Sequence, residues 1–458
     1  MRTYEEFLAR KIHLRNDGGF SPTFCPSWLF DFQAALVDVA VRRGRLAVFA
    51  DCGMGKTPIQ LVWAQNVVEH TNKPVLVVAP LSASAQTVQE ADKFSIDCRR
   101  SRSGDHDHRA RIIVTNYERL HLFSPHDFAG MVCDESSILK NFDGATKAAI
   151  TEFMRTLPYR LLCTATAAPN DYIELGTSSE ALGEMGYTDM LGQFFKNDEG
   201  SSLQPMSHAT KWRFKPHAQR DFWRWLCSWA RALRKPSDLG FEDGPFILPP
   251  CHVSVETVAA SRPLSGYLFA VPAQTLQEQR EERRATITQR CEAVAVKADN
   301  PDAFVAWCHL NDEADLLERL IPGARQVSGA HSDDEKEELF EAFRTGELRA
   351  LVTKPKIGAF GLNWQHCHQM SFFPSHSYEQ YYQAVRRCWR FGQTSPVSVH
   401  IVTTEGESDV LGNLQRKADA ADIMFREMIT HIQSTLRIHP PATSTAPVRV
   451  PSWLTGVV

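Results

Sequence analysis

The sequence predicts an α/β protein of two tandem lobes, each built on a parallel sheet flanked by helices. Short apolar strand segments alternate with helical segments in two separate blocks of the 458-residue chain. Each block has about the size of one α/β domain. Between the blocks the alternation stops, which indicates a joining segment of a different kind.

The predicted strands are short apolar segments, as expected for strands buried on both faces of a parallel sheet. In the first block they lie at 46–50, 75–79, 112–115, 130–133 and 160–163, with helices such as 57–69 and 143–155 between them. The second block repeats this order with strands at 304–308, 325–327, 350–353, 369–372 and 397–402, and with helices such as 312–320 and 333–343. The repeat of a whole lobe predicts two similar sheets.

The segment between the blocks is predicted to be a helical insertion. Its run at 222–235 has the pattern of a basic amphipathic helix with Trp225 and Trp229 on one face. Such a helix suits a nucleic-acid surface, although rings packed inward below solvated arginines are the favoured interpretation. A charged helix at 276–297 is predicted to brace the two lobes. Its arginines are interpreted as a solvated face, namely Arg280, Arg283, Arg284 and Arg290.

These patterns divide the chain into five parts: a lead-in at 1–24, a first lobe at 25–185, the insertion at 186–300, a second lobe at 301–435 and a tail at 436–458. The tail is rich in proline, so we expect it to be extended or disordered.

Composition narrows the class of protein. The net charge is −4, so any nucleic-acid site must be a local basic patch. The 11 cysteines form no C-x-x-C pair, which suits a reducing cytoplasm. His366-Cys-His368 and Asp105-His-Asp-His108 are better interpreted as structural and as solvated than as metal ligands. No apolar run is long enough to span a bilayer, so we expect a cytoplasmic protein without a membrane partner.

The stretch Ala47-Val-Phe-Ala-Asp-Cys-Gly-Met-Gly-Lys-Thr57 is a strand that enters a glycine-rich turn where a helix should begin. Backbone N–H groups of such a turn cradle phosphates, Lys56 reaches the β- and γ-phosphates, and the Thr57 hydroxyl holds Mg²⁺. Ala50 stands where the usual pattern has its first glycine, and the alternative is a turn that binds nothing. The predicted nucleotide-binding residues of this phosphate loop are Gly53, Met54, Gly55, Lys56 and Thr57.

Asp134 and Glu135, which we call the acid pair, follow the apolar strand at 130–133. At the carboxyl end of a strand, Asp134 can bind Mg²⁺ and Glu135 can polarise an attacking water. An Asp-Glu pair alone is a weak signal, because most such pairs are solvated. Its place about 80 residues after a phosphate loop predicts nucleotide hydrolysis.

The run Gln383-Ala-Val-Arg-Arg-Cys-Trp-Arg-Phe-Gly-Gln393 places Arg387 and Arg390 three residues apart, on one face of a predicted helix. Hydrolysis of ATP needs positive charge on the γ-phosphate as the transition state develops. Arginines of a second lobe would supply that charge when the lobes close. A basic surface helix, the alternative, does not explain why Gly392-Gln393 follows.

Seven motifs resemble, in order, those of the superfamily 2 helicases. They are Gly53-Met-Gly-Lys-Thr57, Val78-Ala-Pro80, Thr115-Asn-Tyr-Glu118, Asp134-Glu-Ser-Ser-Ile-Leu-Lys-Asn141, Thr164-Ala-Thr-Ala-Ala-Pro-Asn170, Lys356-Ile-Gly-Ala-Phe-Gly-Leu-Asn363 and the run from Gln383 to Gln393. The resemblance covers roughly 25–200 and 300–405 and is strongest to the SWI/SNF branch. The compact chain also resembles the DEAD/DEAH-box helicases encoded by bacteriophages, which would place it in a host cytoplasm.

The resemblance implies RecA-like lobes, ATP and Mg²⁺ as cofactors, and particular residue roles. The implied catalytic residues are Lys56, Asp134, Glu135, Arg387 and Arg390, with Thr57 and Asp134 as Mg²⁺ ligands. Gln33 is placed like the adenine-reading glutamine, while Gly361 and Gln383 complete the nucleotide site. Thr164 and Thr166 resemble a motif that couples hydrolysis to lobe movement, and Asn363 lies in the loop that joins the nucleotide and nucleic-acid sites.

The expected partner is DNA, with duplex favoured over single-stranded DNA or RNA. Its phosphates would be contacted by amides and hydroxyls near Pro80, Thr115 and Thr353, which carries little sequence information. Phe373-Pro-Ser-His376 departs from the tryptophan-asparagine-proline of the SWI/SNF branch. Translocation without unwinding is the favoured function. A strand-separating helicase and a nucleotide-gated DNA-binding module are the alternatives.

Overall fold

The computed structural model describes residues 18–104, 111–197, 212–259, 276–358 and 363–435. The described residues form two compact units: those up to 243 and those from 422 onward belong to the first, and those between 244 and 421 belong to the second. Each unit is built on its own parallel sheet, which confirms the predicted fold class of two α/β lobes.

The first unit contains nine of the described strands. They are β1 (Arg45–Ala50), β2 (Val75–Ala79), β3 (Cys98–Arg100), β4 (Ile112–Asn116), β5 (Gly130–Asp134), β6 (Tyr159–Thr164), β7 (Phe195–Asn197), β8 (Trp212–Phe214) and β9 (Ala230–Leu233). Its helices are α1 (Asp31–Arg43), α2 (Lys56–Thr71), α3 (Leu81–Lys93), α4 (Ala145–Arg155), α5 (Leu175–Leu182), α6 (Tyr187–Phe194) and α7 (Gln219–Trp229).

The first sheet has the strand order β3-β4-β2-β5-β6-β1-β9, and every neighbouring pair is parallel. The carboxyl ends of β1, β5 and β6 therefore meet at one edge of the sheet, where ligands of such folds bind. The residues of β2, β4, β5 and β6 are all buried, in agreement with their apolar sequences. The five predicted strands of this block are confirmed, and β3 and β9 are additional.

The second unit repeats this plan. Its strands are β10 (Cys251–Val258), β11 (Phe304–Trp307), β12 (Ala324–Val327), β13 (Ala350–Thr353), β14 (Gln369–Phe372) and β15 (Val397–Thr404). Its helices are α8 (Leu276–Ala285), α9 (Ile287–Lys297), α10 (Asn311–Leu320), α11 (Asp333–Thr345), α12 (Pro355–Gly358) and α13 (Tyr378–Val385), and α14 (Ser408–Thr435) ends the described chain.

The second sheet has the order β10-β15-β14-β11-β13-β12, again with parallel neighbours. Its core lies on both faces, because successive strand residues point in opposite directions. Val305 and Trp307 of β11 belong to one apolar cluster with Trp364. Phe304 belongs to the other cluster with Leu317. The five predicted strands of this block are confirmed, and β10 is additional.

The predicted basic helix at 222–235 is correct only in its first part. Helix α7 ends at Trp229, and the next four residues form β9, which pairs with β1. Pairing along the edge of the sheet overrides the helical pattern there. Of the two tryptophans predicted to share a face, Trp229 is fully buried and Trp225 is partly buried against Phe194 and Trp229, which agrees with the inward-packed interpretation. Arg231 is buried as well, so this arginine is not solvated as expected.

The predicted single helix at 276–297 is two helices, α8 and α9, which meet at Thr286. The interpretation of its arginines as a solvated face is wrong for Arg283 and Arg290. Arg290 is 1% exposed and pairs with Glu313 at 2.8 Å, and Arg283 pairs with Glu407 at 2.6 Å. Through these ion pairs, Arg283 and Arg290 hold α8 and α9 against the rest of the second unit.

The expected insertion at 186–300 contributes a strand to each sheet, since β9 lies beside β1 and β10 lies beside β15. The predicted lead-in at 1–24 and tail at 436–458 lie largely outside the described residues. Within the described part of the chain, no helix combines the length and apolarity that crossing a membrane requires.

Candidate nucleotide site

The turn between β1 and α2 has the backbone that the predicted phosphate loop requires. Gly53 and Gly55 have φ angles of 89° and 75°, in the left-handed region that favours glycine. A Cβ atom at Gly55 would also lie 2.1 Å from Nε2 of Gln33. Helix α2 begins at Lys56, and the first turn of a helix offers unpaired N–H groups that attract anions.

Gln33 lies on α1 and is bonded to the phosphate loop. Its Nε2 donates to the carbonyl of Met54 at 3.1 Å, and its Oε1 accepts from the backbone N–H of Phe30 at 3.2 Å. The side chain is 4% exposed. Gln33 therefore fixes the loop against α1, and its role in reading adenine stays a prediction.

Lys56 lies in the electrostatic field of the acid pair. Its Nζ donates to the carbonyl of Ala50 at 3.2 Å. Burial alone would lower the pKa of Lys56, but the acidic groups around it raise the pKa above its ordinary value. Those groups are Cys52, Glu135, Asp134 and Asp51. The structure thus brings the loop lysine and the acid pair together within the first unit.

Asp134 ends β5, and Glu135 follows it with a left-handed φ of 52°. Both side chains are buried, at 8% and 7% exposure. Burial, and then the charge of Glu135, raise the pKa of Asp134 to about 6, although Gln60 and Lys56 act in the opposite direction. Two adjacent carboxylates that are both shielded from solvent repel each other, and a bound cation would relieve that repulsion.

The oxygen donors at this edge fit Mg²⁺, which binds through one or two carboxylates and substrate phosphates. Asp134 supplies a carboxylate, and the Thr57 hydroxyl lies in the first turn of α2, next to Lys56. Thr57 and Asp134 are therefore suitable Mg²⁺ ligands.

Gln60 is a site residue that the sequence analysis missed. Its Nε2 donates to Oδ1 of Asp134 at 2.6 Å, and its side chain is 1% exposed. The spacing offered a signal, because Gln60 lies four residues after Lys56 and hence on the same side of α2. Gln60 orients the carboxylate that is predicted to hold the metal.

Thr164, the last residue of β6, contacts the second carboxylate of the pair. Its Oγ1 donates to Oε2 of Glu135 at 3.2 Å and accepts from the backbone N–H of Thr166 at 3.0 Å. The motif predicted to couple hydrolysis to movement thus touches the glutamate predicted to polarise water.

In the second unit, Arg387 and Arg390 lie in the turns after α13, which ends at Val385. The prediction that they share one face of a helix is therefore wrong. The amide of Gln393 joins this turn to the segment before β14, because its Nε2 donates to the carbonyls of Cys367 at 3.0 Å and of Cys388 at 3.2 Å. The Gly-Gln end of the motif thus shapes the arginine turn.

Gln383 holds Arg387 in this turn. Nη2 of Arg387 donates to Oε1 of Gln383 at 2.8 Å, and Nε donates to its backbone carbonyl at 3.1 Å. Both side chains are buried, at 3% and 0% exposure. Arg390 is partly exposed. Gln383 therefore contacts Arg387, while the predicted nucleotide-binding role of Gln383 and the predicted catalytic role of Arg387 stay predictions.

The hydroxyls predicted to lie near nucleic acid are engaged within their own units. Oγ1 of Thr115 donates to the carbonyl of Ser101, and Oγ1 of Thr353 donates to that of Val327, both at 3.1 Å. Any phosphate contact there would fall to neighbouring groups. Gly361 lies outside the described residues.

Among curated proteins, none has a significantly similar sequence. One solved structure with a similar fold is the Sulfolobus solfataricus SWI2/SNF2 ATPase core in complex with dsDNA. It shares 17% identity over 87% of this chain and 93% of that chain, with a TM-score of 0.40. At that TM-score the likeness adds no argument on function. Residues 287–392 match the model of the helicase conserved C-terminal domain. This match confirms the helicase resemblance: the chain carries a helicase conserved C-terminal domain in its second unit.

Proposed function

We propose that this chain is an ATP-driven nucleic-acid motor of the SWI/SNF type, which hydrolyses ATP to translocate along double-stranded DNA. The observation that carries the proposal is the meeting of Lys56, Asp134 and Glu135 at one edge of the first sheet. That constellation belongs to a chain whose residues 287–392 match a helicase domain.

In this mechanism the phosphate loop and Lys56 bind the β- and γ-phosphates of ATP. Mg²⁺, held by Thr57 and Asp134, would neutralise charge on the phosphate oxygens. Glu135 orients and polarises the water that attacks the γ-phosphate, and Thr164 fixes one oxygen of that carboxylate.

Arg387 and Arg390 complete the mechanism as the source of positive charge for the transition state. The two hydrogen bonds that Arg387 donates to Gln383 support this role, because a fixed guanidinium needs no reorganisation when charge develops on the phosphate. Alternation between nucleotide states would then change the grip on nucleic acid.

The preference for duplex DNA rests on the SWI/SNF-like order of the motifs. The net charge of −4 means that phosphate contacts must come from a limited local surface. Contacts to the backbone alone position a protein on DNA without reading its sequence. We therefore propose movement that is independent of sequence.

The test measures ATP turnover in parallel with duplex DNA, single-stranded DNA and RNA, beside a strand-displacement assay. We expect strong stimulation by the duplex, no displacement, and stimulation that weakens steeply with salt as counterions are released. Stimulation with displacement would favour the strand-separating helicase instead. DNA binding that depends on nucleotide without any turnover would favour the nucleotide-gated binding module.

A further inference from the structure

Tyr117 connects the end of one strand to the acid pair on another. It is the first residue of the 3₁₀ segment Tyr117–Leu122, which follows β4 directly. Strand β2 lies between β4 and β5 in the sheet, so the side chain reaches past β2 to its partner. Its hydroxyl donates to the backbone carbonyl of Asp134 and lies 3.3 Å from Sγ of Cys133.

The acceptor of this hydrogen bond decides its importance. The carbonyl of Asp134 belongs to the peptide bond that joins Asp134 to Glu135. Fixing this oxygen therefore fixes the plane of that peptide bond and with it the position of the Glu135 backbone. Glu135 has a φ of 52°, which is strained for a residue with a side chain. Such a conformation persists where the surroundings determine it, and it is common at functional sites.

Two further contacts fix the same short segment. Oε2 of Glu135 accepts from Thr164, and Oδ1 of Asp134 accepts from Gln60. These bonds hold the two side chains, whereas the bond from Tyr117 holds the backbone between them. Tyr117 is 8% exposed, so its hydrogen bond faces little competition from water.

We infer that Tyr117 is a positioning residue for the hydrolysis of ATP: its hydroxyl holds the Asp134–Glu135 peptide so that Glu135 faces the attacking water. This inference rests on the proposed function. A buried tyrosine hydroxyl commonly finds some partner for reasons of stability alone. The test must therefore separate positioning from packing.

The matched variants are Tyr117→Phe, which removes only the hydroxyl, and Tyr159→Phe. Tyr159 begins β6, at the opposite end of the sheet from the acid pair. We expect Tyr117→Phe to lower kcat by roughly ten- to a hundredfold, as a small misplacement can do. KM and the affinity for a fluorescent ATP analogue should stay within about twofold, because the phosphate loop is unchanged. Tyr159→Phe should retain the wild-type kcat.

Hydrogen exchange supplies a readout that does not depend on turnover. In Tyr117→Phe, the peptide covering residues 131–141 should exchange faster, while the rest of the first unit keeps its wild-type rates. An unchanged rate in that peptide, or a kcat equal to that of wild type, would overturn the inference. Loss of activity through KM alone would also overturn it. If the wild-type protein itself hydrolyses no ATP, the proposed function fails, although the exchange experiment still reports whether Tyr117 holds the peptide.

Discussion

The two units share one plan but differ in what they place after their strands. Thr115 in β4 and Thr353 in β13 make the same kind of hydrogen bond. The hydroxyl of Thr115 donates to the carbonyl of Ser101, just after β3, and the hydroxyl of Thr353 donates to that of Val327, at the end of β12. In the part of the chain that the structure describes, the predicted phosphate loop and the acid pair both follow strands of the first unit. The second places an arginine turn after α13. The proposed function assigns nucleotide binding and water activation to the first unit and charge compensation to the second.

The most direct way to break this division is to remove the lysine of the first unit. Lys56→Ala should reduce ATP turnover to background, because Lys56 is the cation predicted to meet the β- and γ-phosphates. The measurement is steady-state phosphate release, with thermal unfolding to show that the fold persists. Lys73→Ala, an exposed lysine just after the same helix, is the control. Turnover retained in Lys56→Ala would show that the turn is no phosphate loop.

The matching test in the second unit removes its arginines. Arg387→Ala and Arg390→Ala should each lower the hydrolysis of bound ATP by roughly 10³- to 10⁵-fold, by analogy with arginine fingers. Single-turnover assays with saturating ATP measure this step apart from binding. Arg416→Ala changes an exposed arginine of α14 and should have little effect. A loss of nucleotide affinity with normal hydrolysis would assign these arginines to binding instead.

Gln60 offers a finer test within the first unit. Gln60→Leu removes the amide that donates to Asp134 and replaces it with an apolar side chain of similar size. We expect about ten- to a hundredfold more Mg²⁺ to be needed for half-maximal turnover, as for other residues that orient metal ligands. Gln65→Leu is the control, since Gln65 on the same helix bonds to Glu69 instead. An unchanged Mg²⁺ requirement would mean that Gln60 only fills space.

The same comparison shows what the sequence could predict. The strands and the phosphate loop follow from local patterns, because apolar runs and the glycines of a turn leave a signal within a few residues. Strand β9 could not be predicted, since its helical pattern gave way to pairing with β1. The bond from Gln60 to Asp134 joins residues 74 positions apart, and the arginine turn depends on where the Gln393 amide finds carbonyls. Such contacts arise from packing: the spacing places Gln60 on the same side of α2 as Lys56, but it does not identify the partner of its amide.

The smallest expected effect concerns stability rather than catalysis, and it belongs to the second unit. Nε2 of His309 lies 2.9 Å from the carbonyl of Phe373. Burial lowers the pKa of His309 to about 4, although Glu313 acts in the opposite direction; Arg283 and Arg290 lower the pKa further. The imidazole is therefore neutral in the folded protein at pH values where the unfolded chain already takes up a proton.

The sign of the pH effect follows from this difference. The stabilisation is complete above pH 6.5 and is lost as the pH falls from 6.5 towards 4, by on the order of 3 kcal/mol at most. His309→Gln keeps a donor and cannot titrate, so its free energy of unfolding should fall less than that of wild type over this range. The measurement is urea unfolding at pH 7, 5.5 and 4.5, followed by tryptophan fluorescence. Subtracting the signal of a Trp307→Phe variant isolates the fluorescence of Trp307, which reports the unfolding of the second unit. Parallel pH profiles for the two proteins would show that His309 does not set the acid limit of this unit.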